Sequence, residues 1–199
     1  MRDLDFLEIG TSDFDTCIEH ASDTTKGISV EPIKFYIDRL PNPKNVKKVN
    51  AAISPTNSEK DSFMYYIPHE TIIEKDLHFM LRGCNSLNKI HKKAVDLKLE
   101  HLVEKLPVKE IPISKLLIDN DVKKIDYLKI DADGCDTYIL ENLYHYLKDK
   151  SEEYLPKRIR FEHFDSITKR EKMLEVVNLY IDLDYFVMYE EYDVELRRA

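Results

Sequence analysis

A chain of 199 residues with 43% hydrophobic and 34% charged positions has the length and balance of one globular domain with a sizeable core. Its formal net charge of −8 excludes a broad nucleic-acid footprint or attachment to an anionic membrane surface. No apolar run approaches the ~18 residues of a membrane span. Short basic runs such as "KNVKK" and "PKRIR" are interspersed with acids and read as solvated faces. Cys17, Cys84 and Cys135 have neither metal-site nor redox spacing, and no signal-like segment precedes them. Reduced thiols in a cytoplasmic setting are therefore expected.

In chain order, Leu4 to Ile9 is a short apolar run closed by Gly10, the pattern of a buried parallel strand. A short helical stretch is expected from Asp15 to Ser22, then a strand at "GISVEP" stopped by Pro32. "IKFYIDRL" reads as a helix ended by "PNPKN", and "VKKVNAAIS" as a third strand. This β-α-β-α-β alternation predicts a parallel sheet with helices packed on it. In the middle, "SFMYYIP" reads as a strand and "VKEIPISKLLIDN" as a strand leading into a helix. The connection between them, residues 68–106, is expected to be a lid-like insertion, helical near Lys89 to Leu106. "KIDYLKIDADG" is then a buried strand, and the helix after it places Ile139, Leu140, Leu143, Tyr144 and Leu147 on one face. "RIRFEHF" is a strand, a helix follows with a Thr168–Glu171 capping box, and "DYFVMYEEYDVEL" supplies one or two closing strands. The expected fold is one α/β domain over 1–199, doubly wound in Rossmann-like fashion, its mostly parallel sheet covered by helices on both faces.

Ligands of open parallel sheets bind beyond the carboxyl ends of the strands. The residues there are Glu8, Gly10, Thr11, Ser12 and Asp13; Glu31 with Pro32; Asn50, Ala51 and their successors to Ser54; Asp131, Asp133 and Gly134; and Glu162, His163 and Asp165. Acids dominate. Glu31 follows Gly10 by 21 positions, near the ~20-residue offset at which an acid grips ribose hydroxyls. The first loop has one glycine and two acids, which disfavours a pyrophosphate and a nucleotide-dependent enzyme. S-adenosylmethionine fits better, with hydroxyls for Glu31 and an ammonium and sulfonium for the acids. Plainer roles stay open: Ser12 or Asp13 as a helix cap, Glu31 as a solvent-facing strand end, Asp131 and Asp133 as caps, His163 as a core or rim residue, and Cys135 as packing.

The segments "FLEIGTSDFDT", "VEP", "NAAIS" and above all "IPISKLL…KIDYLKIDADGCDTYIL" resemble the FkbM-type S-adenosylmethionine-dependent methyltransferases, over nearly the whole chain. The resemblance implies the class I methyltransferase fold. It also implies that Glu8, Gly10, Ser12 and Asp13 line the methionine end of the cofactor, with Glu31 on the ribose and Asn50 to Ala52 beside the adenine. Asp131, Asp133 and Glu162 would face the reacting end. "RGCNSL", with Arg82, Asn85 and Ser86, resembles a loop that borders the acceptor, and His91 is a further candidate there. Two departures stand out: Phe14 replaces a glycine common in the family, and Asp133 replaces its usual glutamate.

The implied reaction is O-methylation of a hydroxyl on a small molecule or glycan. Its base would come from Asp131, Asp133, Glu162 or His163. A divalent cation held by the converging acids is an alternative means of acidifying the hydroxyl. A rival of another class is a cofactor- or partner-binding module that keeps the fold without catalysis.

Overall fold

The computed structural model describes residues 2–163 and 167–198, with the side chains of 167–169 left aside. Asp165 and the Thr168 cap expected from the sequence lie outside the described residues.

The elements are β1 (Arg2–Ile9), β2 (Gly27–Val30), α1 (Lys34–Arg39), β3 (Val46–Val49), β4 (Ala52–Ile53), β5 (Lys60–Tyr66), α2 (His69–Glu74), β6 (Ser86–Leu87) and α3 (Lys92–Asp96). There follow β7 (Glu104–Ile111), α4 (Ile113–Asp119), β8 (Val122–Ile130), α5 (Asp136–Leu147), β9 (Arg158–Glu162), α6 (Ile167–Ile181), β10 (Phe186–Tyr189) and β11 (Asp193–Arg197). Seven strands form the main sheet in the order β3-β2-β1-β8-β9-β11-β10. The pairs from β3 through to β9 are parallel, and β11 runs antiparallel to both β9 and β10. Four parallel strands, β1, β2, β8 and β9, therefore bring Gly10, Glu31, Asp131 and Glu162 to one edge.

The pleat sorts the core onto both faces, because successive residues of a strand point to opposite sides. Phe6, paired with Tyr127, packs with Ile18, Ile37 and Leu40 under α1. Its neighbour Leu7, paired with Leu128, joins the main core with Ile139, Leu140 and Leu143 of α5 and Val176, Val177 and Tyr180 of α6. The helical face expected for α5 is the one that is buried, with Leu147 also inside and Tyr144 packed at its margin.

Three expectations are corrected. "VKKVNAAIS" is not one strand: Asn50 donates its side-chain amide to the Glu31 and Pro32 carbonyls, at 2.9 and 2.8 Å, where β3 leaves the main sheet. Ala52 and Ile53 then join a second, four-stranded sheet of order β4-β7-β5-β6. Its long antiparallel pair β5–β7 was not foreseen as a separate sheet. Residues 89–106 do not form one helix. Left-handed backbone at Asn88 and Lys98 (φ 60° and 58°) limits α3 to one short segment, and Ile67, Ile72, Leu81 and Ala94 make a small core of their own. Likewise the expected helix at 15–22 is a single 3-10 turn, Cys17–His20, capped reciprocally by Thr16 and Glu19.

Candidate functional site

The first strand end is built by close backbone contact. Gly10 has φ of +79°, and a Cβ there would lie 1.7 Å from the carbonyl oxygen of Asp131. Only glycine lets the ends of β1 and β8 approach this closely. Ser12, also left-handed at φ 47°, donates its N–H to Glu31 Oε2 at 2.8 Å, and Ile33 N–H donates to Glu31 Oε1 at 2.8 Å. Both carboxylate oxygens of a buried acid are thus tied to backbone, with lone pairs left over. Burial nevertheless outweighs these bonds and pushes Glu31 up to about 7.

Glu31 lines a cavity of about 110 Å³ together with Gly10, Thr11, Ser12, Pro32, Ala51, Asn85, Asp131 and Asp133. Met64 and Leu87 of the second sheet and Phe14 complete its apolar wall. Three other candidates stand behind this wall. Glu8 is fully buried and accepts from Cys17 N–H at 3.0 Å, with Lys129 Nζ 3.5 Å away. Asp13 turns to Arg39 at 3.2 Å and Arg82 at 3.0 Å. Asn50 is spent on the carbonyls of Glu31 and Pro32.

The loop after β8 carries the remaining acids. Asp133, left-handed at φ 47°, accepts Asn85 N–H at 2.9 Å and faces His91 Nε2 at 3.3 Å. That bond, followed by one from Cys84, pushes His91 up to about 10. His91 Nε2 is the ring nitrogen that faces the Asp133 carboxylate, while Nδ1 lies 3.2 Å from the Lys93 backbone nitrogen. Arg82, besides its pair with Asp13, lies over the Phe14 ring at 5.1 Å. Ser86 is buried in β6. Of the residues expected beside an acceptor, Asn85 lines the cavity, while Arg82 and His91 strap the middle segment onto the first and fourth strand-end loops.

Neither Asp131 nor Asp133 caps α5. Asp136, which was not singled out in the sequence, organises this loop: its carboxylate accepts the N–H groups of Ala132 and Gly134, both at 3.1 Å. The signal was present as a third acid in "DADGCD", at the first position of the helix. Burial, then Asp131, pushes Asp136 up to about 7.

On the far side of this loop lies a second cavity, of about 380 Å³, reached by Gly134, Asp136, Glu162 and His163. Glu162 is pushed up to about 8, by burial first and then by Asp131. Asp131 is pushed up to about 6, by burial first, with Lys129 opposing the shift and Asp133 adding to it. His163 is fixed by its N–H to the Tyr192 carbonyl at 2.9 Å, with Nε2 3.4 Å from the Glu190 carbonyl. The loop 131–136 is therefore a shared acidic wall between two cavities. Among the described residues, no group of three or more His, Cys, Asp or Glu side chains is arranged to hold a metal ion. No helix among them is long and apolar enough to cross a membrane.

The family model described as the methyltransferase FkbM domain matches residues 8–192. No curated protein and no solved structure gives a significant match.

Proposed function

We propose that this chain, which belongs to the FkbM methyltransferase family, is an S-adenosylmethionine-dependent O-methyltransferase acting on a hydroxyl of a small molecule or glycan. The observation that carries the proposal is the acidic wall 131–136, with one cavity on each side of it. The strand order β3-β2-β1-β8-β9-β11-β10, with apolar packing on both faces, supports a Rossmann-like doubly wound domain. Within that single domain, residues 68–106 act as the lid-like insertion. The three cysteines are free thiols, which suits a reducing cytoplasm.

The residues around the smaller cavity suit the cofactor's chemical groups, although the cavity's volume of about 110 Å³ is below that of the whole cofactor molecule. Gly10 lets the ends of β1 and β8 close together at the cavity, Glu31 keeps acceptor capacity for ribose hydroxyls, and Thr11, Pro32, Ala51, Met64 and Leu87 offer an apolar bed for adenine. Asp131 and Asp133 supply negative potential toward a cation. When bound, S-adenosylmethionine supplies a methyl group that forms a new C–O bond as the C–S bond breaks and its electron pair returns to sulfur. The protein holds the acceptor hydroxyl in line, a positioning effect that can contribute ~7–11 kcal/mol.

Glu162 receives the hydroxyl proton. Its raised affinity for protons in the ligand-free protein comes from burial and from neighbouring acids. A cation on the other side of the wall lowers it and favours the carboxylate. His163, beside it on the same strand end, holds the rim of the cavity. Glu8, Asp13 and Asn50 position the first loop and Glu31 from behind.

Calorimetry tests the cofactor: S-adenosylmethionine binds with at least micromolar affinity, and no heat at high micromolar concentration rejects the proposal. Glu162→Gln retains that binding and lowers turnover ~10²–10⁴-fold, the usual range for general-base catalysis. One observation favours the non-catalytic module instead, namely that Asp133 is engaged by Asn85 and His91. Cofactor binding with no turnover on any hydroxylated acceptor would select that reading.

A further inference from the structure

The larger cavity has a lining that defines a kind of acceptor. Its inner wall is Glu162 with Thr137, and its outer rim is formed by Tyr138, Tyr189 and Arg170. The two tyrosine rings, 46% and 56% exposed, present apolar surface to whatever enters. The charged groups beside them are mostly committed: Lys172 is tied to Glu141 at 2.6 Å, and Glu190 to Arg160 at 2.9 Å. Arg170 alone among the cations lining this cavity has no ion pair or hydrogen bond to another described residue.

An unpaired guanidinium on an open surface is ordinary. Here it is exposed and lines the same cavity as Glu162, the proposed proton acceptor. Its planar fork of donors matches a carboxylate or phosphate better than a lysine would. A volume of about 380 Å³ falls in the ~300–1,000 Å³ range of small-molecule sites, and the tyrosine rings suit the apolar face of a sugar ring.

We propose that the acceptor is a hydroxylated compound carrying one anionic group, a sugar acid or a sugar phosphate, seated between β9 and α6. Its anion lies on Arg170 and its hydroxyl points to Glu162. This rests on the O-methyltransferase reading and adds the acceptor class to it. Arg170 is a specificity residue and does not touch the cofactor cavity. The candidates expected from the sequence, Arg82 and His91, are bound instead to Asp13 and Asp133.

The test uses the full chain saturated with S-adenosylhomocysteine, titrated with glucuronate, glucose 6-phosphate and glucose. At least one anionic probe binds more tightly than glucose, and which of the two does so separates carboxylate from phosphate. R170Q weakens that probe roughly tenfold to a hundredfold, the range for a hydrogen bond to a charged group, and leaves glucose unchanged. K172Q, which removes the same charge two residues further along α6, has a smaller effect. Anionic probes that bind no better than glucose, or that do not bind at millimolar concentration, overturn the inference. So do equal losses in R170Q and K172Q, which would reduce the effect to net charge. Absence of S-adenosylmethionine binding to the wild-type chain counts against the methyltransferase reading, whereas intact cofactor binding without anion preference counts against this inference alone.

Discussion

Gly10 and Glu31 show how single residues set the smaller cavity. At Gly10 both the positive φ and the 1.7 Å approach to the Asp131 carbonyl oppose any Cβ. Gly10→Ala is expected to lower unfolding free energy by at least ~1 kcal/mol in chemical denaturation, and to weaken cofactor binding as the two strand ends part. Glu31→Gln keeps the shape but sets an NH₂ group against one of the two backbone N–H donors from Ser12 and Ile33. Loss of such a bond to a charged group predicts roughly tenfold weaker S-adenosylmethionine binding by calorimetry. Glu31 was legible in the sequence because its offset from Gly10 follows from the length of a β-α-β unit. Glu8 and Asp13 were legible only as acids at a strand end. Their direction depends on Cys17, Lys129, Arg39 and Arg82, partners that folding brings from elsewhere. Asp136 was hidden because spacing does not distinguish which acid of "DADGCD" turns inward.

The segment from Phe79 to His91 is held to the strand ends by Arg82 on Asp13, Ser12 Oγ on the Arg82 carbonyl, Asn85 N–H on Asp133, and His91 on Asp133. Little of it is deeply buried beyond Leu81 and Ser86, so its opening is governed by these polar contacts. Arg82→Ala is expected to speed amide exchange in 79–91, while protection of β1 and β8 stays unchanged. Equal protection in the variant would show that the pair with Asp13 does not hold the strap. The strands β1 and β8 disclosed themselves in the sequence, since each carries spaced apolar residues up to a strand end marked by acids and a glycine. The β5–β7 sheet did not, because its half-exposed pattern fits an edge of the main sheet equally well. The Asn50 contacts, together with the pairing of Ala52 and Ile53 on β7, set β4 apart from β3.

For the whole molecule, the clustered acids dictate how stability responds to pH. Glu31, Asp136 and Glu162 all hold protons more tightly folded than unfolded, with folded values near 7, 7 and 8 against ordinary values of 4.5, 3.8 and 4.5. Their stabilisation is complete below the unfolded values and is lost as pH rises through the folded ones. His91, raised to about 10, acts in the same direction above its ordinary 6.5. Glu195 and Asp126 are lowered by arginine and lysine partners and titrate below this window. The melting temperature of the ligand-free chain is therefore expected to fall between about pH 5 and pH 8. S-adenosylmethionine should flatten that fall, because a cation lowers the same carboxyls. A flat or rising profile without ligand would show that these acids do not share one crevice. The parallel centre of the sheet followed from the β-α alternation, but the place of the last strand did not. Since β11 inserts between β9 and β10, β10 emerges from the ribosome before its docking partner exists. The side of the sheet beyond β9, the strand that carries Glu162, is thus the last part of the molecule to close during synthesis, and a chain truncated before residue 193 would leave β9 frayed and unpaired on one side.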